Sequence, residues 1–251
     1  MFLIRKTIDR LRLTRTRATT QGLMFVTSRV RDPRKTPDEL YNRFYDEEHL
    51  GLVLAGGQTK LALRYKNVST KAAVPYIALY PINDVSFFGS PGNLKLIEDV
   101  KKSEILGCDN VSELIDFELR SYEKIHTFEG YGRARRKDAS EQPARTLIVV
   151  TIDPAEGCEK EIDAWYRKQH LEMLNMCKGF RRCTRYMRVD GACPRYLALA
   201  EYDSSPRNLP RDQIKQVYAT EWNGMISART KSYDLNVFAL IQAQGATNLQ
   251  L

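Results

Sequence analysis

Apolar and polar positions along this chain fall into two series of elements in the same order. Residues 22–30 (GLMFVTSRV) are apolar and β-branched enough to predict a strand. Thr36-Pro37-Asp38-Glu39 has the form of a capping box, with Thr36 as N-cap and Pro37 at the first helical position. The helix it opens turns Leu40, Phe44 and Leu50 toward a core, and Tyr41, Tyr45 and His49 form an adjacent stripe four residues apart. Gly56-Gly57 breaks it, and strands follow near 60–67 and 75–81. Weak helical periodicity over 93–107 predicts a second helix, and alternation over 115–128 a long final strand. The second series reads as strand 145–152, helix 159–175, strands 182–189 and 195–202, helix 210–228 and strand 230–241.

The two series share residues as well as order. Phe44-Tyr45-Asp46-Glu47-Glu48-His49-Leu50 is answered 121 positions later by Trp165-Tyr166-Arg167-Lys168-Gln169-His170-Leu171. Arg64-Tyr65 is answered at the same offset by Arg185-Tyr186, and Tyr76-Ile77-Ala78-Leu79 by Tyr196-Leu197-Ala198-Leu199 at 120. Ser121-Tyr122-Glu123 pairs with Ser232-Tyr233-Asp234 at 111, which sets His126 opposite Val237. A repeat of this length implies a duplicated unit. The order βαββαβ predicts an α+β fold of two tandem ferredoxin-like halves, whose sheets pack together into a barrel within one chain. The expected domains are a basic tail at 1–21, a first domain at 22–129, a linker at 130–143, a second domain at 144–242 and a C-terminal tail at 243–251.

Charge narrows the class of partner. The net charge is +8, but residues 1–21 hold six basic side chains (Arg5, Lys6, Arg10, Arg12, Arg15, Arg17) against Asp9 alone, so the remainder is close to balanced. A nucleic-acid groove is therefore not expected. The Arg-rich tail, with interspersed apolar residues, has the composition of a mitochondrial presequence or of a solvated basic arm; the expected location is cytoplasmic or, on the first of these, mitochondrial. No apolar run reaches the length of a membrane span, so no integral membrane segment is expected. Five cysteines without CxxC spacing read as reduced thiols. No GxGxxG, P-loop or GxSxG stands in the chain, nor does a His/Cys/carboxylate cluster at metal-ligand spacing, so nucleotide, phosphate, acyl-hydrolase and zinc chemistry have no local signature. Haem, which needs only one axial histidine, stays open, and the expectation is that no cofactor is used.

The two aromatic-Tyr-x-x-x-His-Leu segments, the strand residues Arg64-Tyr65 and Arg185-Tyr186, and the Tyr-x-Ala-Leu strands resemble the dimeric α+β barrel superfamily, and within it fungal proteins with tandem EthD-like domains. The resemblance spans about residues 22–242. It implies a family of polyketide cyclases, muconolactone-type isomerases, decarboxylases of aromatic polyketide acids, cofactor-free monooxygenases and haem-dependent enzymes. Most members place their cavity between sheet and helices of one half, often with a histidine near the end of the first helix. His49 and His170 match that position.

Histidine exchanges protons near neutral pH, and Tyr45 or Tyr166 one turn earlier is placed to orient it or to bind a substrate oxygen. These four are the candidate catalytic residues; packing of the helix end against the sheet accounts for them equally well. Arg64, Arg185, His126, Tyr76, Tyr196 and Trp222 are the candidate substrate contacts, and the abundant aromatic residues suit an apolar pocket. The acids beside His49 read as a solvated helix face. The expected function is a cofactor-independent cyclase, isomerase or decarboxylase acting on a hydrophobic polyketide- or terpenoid-like molecule, in part by folding the substrate as for an intramolecular cycloaddition. The alternatives are a haem-dependent or cofactor-free monooxygenase, and a non-catalytic ligand-binding or stress-responsive module. The chain is expected to act as a monomeric pseudo-dimer or as a homodimer.

Overall fold

The computed structural model describes residues 19–134 and 142–251. The targeting reading of the N-terminal tail rests mostly on residues 1–18, and the basic cluster of the linker extends over 135–137; both lie outside the described residues. The first half consists of β1 (Gly22–Val30), α1 (Asp38–Phe44), α2 (Leu50–Ala55), β2 (Leu61–Asn67), β3 (Tyr76–Ile82), α3 (Pro91–Asp99) and β4 (Ile115–Glu129). A short α4 (Tyr131–Ala134) leads out of it. The second half consists of β5 (Thr146–Pro154), α5 (Glu159–Trp165), α6 (Leu171–Asn175), β6 (Phe180–Arg188), β7 (Tyr196–Tyr202), α7 (Arg211–Tyr218), α8 (Glu221–Ser227) and β8 (Thr230–Gly245).

The strands close into one barrel in the order β1-β3-β2-β8-β5-β7-β6-β4. Closure depends on the two long strands. β4 pairs with β1 along its first part and with β6 along its second, and β8 pairs with β5 and then with β2. The strands of the two series are thus joined through two hydrogen-bonded seams, β4·β6 and β2·β8, and among the described residues no strand edge is left open. Each seam carries a register shift, at Lys124/His126 and at Arg64/Tyr65, where the strand turns from one sheet into the other.

Strand alternation divides the core into three. Leu23, Phe25, Tyr65, Leu79, Tyr122, Val149, Tyr186, Leu199 and Phe238 fill the barrel, with Leu251 packed among them. Met24, Ala62, Tyr76, Ala78 and Tyr80 face outward under α1–α3, and Ile148, Val150, Ile152, Ala198 and Ala200 face outward under α5–α8. The middle strands are buried on both faces, so they read as nearly continuous apolar runs.

Four sequence expectations change. Thr36 is buried and its side chain caps nothing; Pro37, in extended conformation, holds the N-cap position ahead of Asp38. The helix expected over 93–107 ends at Asp99: Val100 leaves the helical conformation (φ -91°, ψ 3°), and beyond it the backbone N–H groups of Glu104 and Ile105 are bonded to the Glu48 carboxylate and the chain turns at Gly107 (φ 62°). The helix expected over 210–228 is two, since the Thr220 hydroxyl accepts from Asn223 N–H at 3.1 Å and starts α8 afresh. The repeat alignment of the last strands also shifts. Phe25 stands opposite Arg120 and Val149 opposite Asn236, which matches Phe117 to Tyr233 and Tyr122 to Phe238. Across the seams, His126 stands opposite Arg185 and Gln242 opposite Arg64, so the counterpart of His126 is Gln242 rather than Val237. The Ser-Tyr-acid echo suggested the other alignment because sequence similarity alone does not register which residue faces which neighbour.

Candidate functional site

The repeated motif adopts the same unusual local form twice. Tyr45–His49 and Tyr166–His170 are π-helical, with Leu50 N–H reaching back to Tyr45 O and Leu171 N–H to Tyr166 O. The buried pairs explain the form: Phe44-Tyr45 and His49-Leu50 recur at a spacing of five, as do Trp165-Tyr166 and His170-Leu171. An α-helix cannot bury both members of each pair on one face, whereas one wider turn can.

Beneath each π-turn lies a buried arginine. Arg64 projects from β2 to the helix side, 1 % exposed, donating to Asp46 at 2.5 Å and to Asn42 at 2.8 Å. Its Cζ lies 4.2 Å from the Tyr45 ring centroid and 5.3 Å from that of Tyr41. Arg185 repeats this on β6, donating to Asp163 at 2.7 Å and lying 4.1 Å from the Tyr166 ring. Both arginines are thereby neutralised and stacked, and neither reaches a cavity wall among those described.

The two histidines differ in what covers them. His49 is buried, its ring 4.8 Å from Tyr45 and stacked on Phe117 at 6.2 Å with planes 15° apart. It lines a cavity of about 430 Å³ between the helices and the outer face of β1, β3 and β4. The walls are chiefly apolar: Met24, Val26, Val53, Leu96, Ile97, Val100, Val111 and Phe117. His170 sits instead under α7, with ring centroids of Trp165, Tyr166 and Tyr218 at 4.1, 5.3 and 5.3 Å. Tyr218 occupies the space above His170, while the first half keeps its space open.

Burial holds both imidazoles neutral. His49 is pushed down to about 4, first by desolvation and then by Arg64, with Glu48 opposing; His170 is pushed down to about 3 by desolvation and Arg185. Desolvation pushes the Tyr45 and Tyr166 hydroxyls up. Three side chains on the cavity wall carry a buried polar atom without a hydrogen-bond partner: His49 Nδ1, Tyr80 Oη and Asn93 Nδ2. In protein interiors such atoms are the exception, and they mark places where a further partner fits.

Two of the three acids beside His49 are engaged, while Glu47 stays on the exposed face. Asp46 binds Arg64, and Glu48 accepts from Ser103 Oγ at 2.6 Å and from Glu104 N–H at 2.9 Å. Glu48 so fixes the loop that passes from Val100 to Ser112 along the cavity rim. The other expected contacts lie elsewhere. Tyr76 bonds Asp38, Tyr196 lies under Arg195 at 5.5 Å, and Trp222 packs against the second helical core. His126 is half-buried and faces Arg185 across the seam, where burial, Arg167 and Arg185 lower its pKa. Asn93 and Phe117 escaped sequence reasoning: a Ser-Pro-Gly-Asn segment reads as a helix start, and nothing local shows that its amide reaches a cavity.

The residues near His49 do not fit haem. A histidine that ligates iron ordinarily donates its second ring N–H to a carboxylate or carbonyl, but His49 Nδ1 has no partner. The only basic side chain besides His49 on that cavity wall, Lys101, is paired with Glu98. Among the described residues no cluster of three or more His, Cys, Asp or Glu is arranged to hold a metal ion, and no helix is long and apolar enough to cross a membrane. All five cysteines are free.

No protein-family model matches the chain. It is 23% identical over 215 residues to core atranone cluster protein 1 of Stachybotrys chlorohalonatus, covering 78% of this chain and 88% of that one. Among solved structures it resembles a mutant chlorite dismutase from Candidatus Nitrospira defluvii in complex with cyanide, with a TM-score of 0.57 at 8% identity, covering 88% of this chain and 91% of that chain. An anthrone oxidase-like protein matches with a TM-score of 0.51 at 10% identity, over 91% of this chain and 94% of that chain. A protein assigned as a monooxygenase from Fusobacterium nucleatum matches at 0.58 and 7% identity, over 92% of this chain and 97% of that chain. These likenesses show a mixed α+β barrel fold.

Proposed function

We propose that the chain is a tandem pair of EthD-like, ferredoxin-like domains, with boundaries near 22–129 and 144–242, of which the first holds the working cavity. Its activity is that of a cofactor-independent isomerase, cyclase or decarboxylase on a hydrophobic polyketide- or terpenoid-like molecule. The observation that carries this reading is the chiefly apolar cavity of about 430 Å³ beside His49, three of whose lining side chains hold a buried polar atom without a partner. The cluster membership in the name of the Stachybotrys relative supports a role in secondary metabolism.

The chemistry follows from a neutral imidazole in an apolar site. A carbonyl compound bound beside His49 loses a proton from a carbon next to its carbonyl or, as in anthrone, conjugated with it through the rings; the C–H electron pair becomes a C=C bond, the carbonyl π pair moves onto oxygen, and the proton passes to a ring nitrogen. Charge separation in a low dielectric raises the basicity of His49 as the enolate forms, so a resting pKa of about 4 does not fix its basicity in the transition state. Return of the proton at another carbon completes an isomerisation; collapse of the enolate on an internal electrophile completes a cyclisation. Tyr45, packed on His49 beneath Arg64, holds the ring in place.

Anthrone in D2O under argon tests proton transfer without knowledge of the native substrate. Deuterium should enter its methylene faster than in buffer, the acceleration should vanish in His49→Gln, and it should persist in His170→Phe. Exchange at the buffer rate in the native protein, or acceleration unchanged in His49→Gln, overturns the assignment. A second reading, cofactor-free monooxygenation, is favoured by the fold neighbours assigned as a monooxygenase and as anthrone oxidase-like. It starts from the same enolate: anthrone and O2 would give anthraquinone and water. Protein-dependent anthraquinone formation in air that argon suppresses would select it.

A further inference from the structure

We infer that Asn93 is the residue that binds the substrate's reacting oxygen, so that the first-half cavity selects hydrophobic ketones or phenols over hydrocarbons of the same shape. The inference rests on the proposed use of that cavity and names its oxygen-binding group.

Asn93 is 7 % exposed and stands in the first turn of α3, on the cavity wall. Its side-chain orientation is fixed by its neighbours. The oxygen Oδ1 accepts from Gly89 N–H at 3.2 Å, and the backbone N–H of Asn93 is held by Ser90 Oγ at 3.2 Å. Only the carbonyl end of an amide can accept from an N–H, so the NH2 end is assigned to the opposite side. There Nδ2, buried, has no protein partner. Gly89 adopts φ 75°, a conformation that suits glycine and turns its N–H toward Asn93. The loop thus spends one end of the amide on itself and leaves the other without a protein partner, on a side chain that lines a chiefly apolar cavity.

An unsatisfied buried donor is unfavourable, and it is satisfied only by a ligand that brings an acceptor. Water can serve in the empty protein, but an apolar ligand that displaces it leaves the donors unpaired. A ligand with a carbonyl, phenol or enolate oxygen restores the bond. The bond gains strength as negative charge develops on that oxygen, as in an oxyanion hole. A neutral amide suits this better than a cation, because it gives up little to desolvation when the cavity is empty. Lys101 on the same wall is already paired with Glu98, and Arg64 with Asp46. Tyr80 Oη is also buried and without a partner on that wall, but Asn93 is the side chain there whose free donors have a direction set by a hydrogen bond at its other end.

Equilibrium dialysis of anthrone and of 9,10-dihydroanthracene under argon at pH 8 tests the inference, because the two differ in the carbonyl and share a ring system. The ratio of their affinities in each protein cancels their difference in hydrophobicity. Asn93→Leu should lower the preference for anthrone about fivefold relative to the native protein, the size of one neutral hydrogen bond. Asn93→Asp keeps an acceptor toward Gly89 N–H, so it guards against loss of the loop, and at this pH it removes both donors. It should lower the ratio at least as much while the hydrocarbon still binds. A ratio unchanged in both folded variants overturns the role of Asn93 and leaves the cavity reading intact. Failure of the native protein to bind either compound overturns the cavity reading, and the inference with it.

Discussion

Arg64 lies over the Tyr45 ring, its Cζ 4.2 Å from the centroid, and shares a salt bridge of 2.5 Å with Asp46 from the same helical turn. The guanidinium therefore ties β2 to the π-turn that carries His49. Removing one member of such a pair leaves a charge with too little compensation. Arg64→Ala is expected to destabilise the fold by about 3–5 kcal/mol, read by urea denaturation. Arg64→Lys should recover only part of that, since an ammonium cannot reach Asp46 and Asn42 while stacking on tyrosine.

Two buried neutral histidines make stability depend on pH above the carboxylate range. In the unfolded chain each titrates near 6.5; in the folded chain His49 does so at about 4 and His170 at about 3. Below 6.5 the unfolded state takes up protons that the folded state refuses, so stability is full above 6.5 and is lost as pH falls toward 4. Between pH 7 and pH 5 the loss should be about 2 kcal/mol per histidine. Denaturant unfolding at the two pH values measures it. His170→Phe, placed among Trp165, Tyr166 and Tyr218, should lose about half of this dependence.

Glu48 holds the loop at the cavity rim through Ser103, Glu104 and Ile105. Glu48→Gln replaces a charged acceptor with a neutral one and weakens each bond. Amide hydrogen exchange at 104–106 should accelerate about tenfold, while exchange in β5 and β7 stays unchanged. A loop equally protected in the variant would show that Glu48 does not anchor it.

Gly245 closes the β2·β8 seam opposite Leu61, at φ 88°. An added Cβ there would collide with the backbone carbonyl oxygen of Lys60, which accepts from Ala246 N–H. Gly245→Ala is expected to destabilise by about 2–4 kcal/mol. Hydrogen exchange should show the loss first in the last residues of β8 and the start of β2, with the β4·β6 seam spared.

Much of this architecture is legible in the sequence because strands and turns are local events. Residues 22–30 form β1 over the expected range, and the long alternation after Ile115 is β4. The π-turn is also written locally, as paired apolar positions five apart, once the pairs rather than the four-residue stripe are counted. The alignment of β4 with β8 was less legible. A serine, a tyrosine and an acid resemble one another at the wrong offset, and only hydrogen-bonded register shows that His126 answers Gln242.

The sequence by itself determined the order of elements, their repetition and the presence of a histidine under each repeated turn. Those follow from periodicity, glycine and proline placement, and local similarity. Tertiary structure alone decided that the histidines are not equivalent. Whether space remains over a buried ring depends on which side chain a distant helix brings to it: Tyr218 of α7 covers His170, whereas α3 leaves a cavity over His49 and lends Asn93 to its wall. Burial and the nearby arginines then set both imidazoles neutral, a property of the packed interior that no run of residues carries.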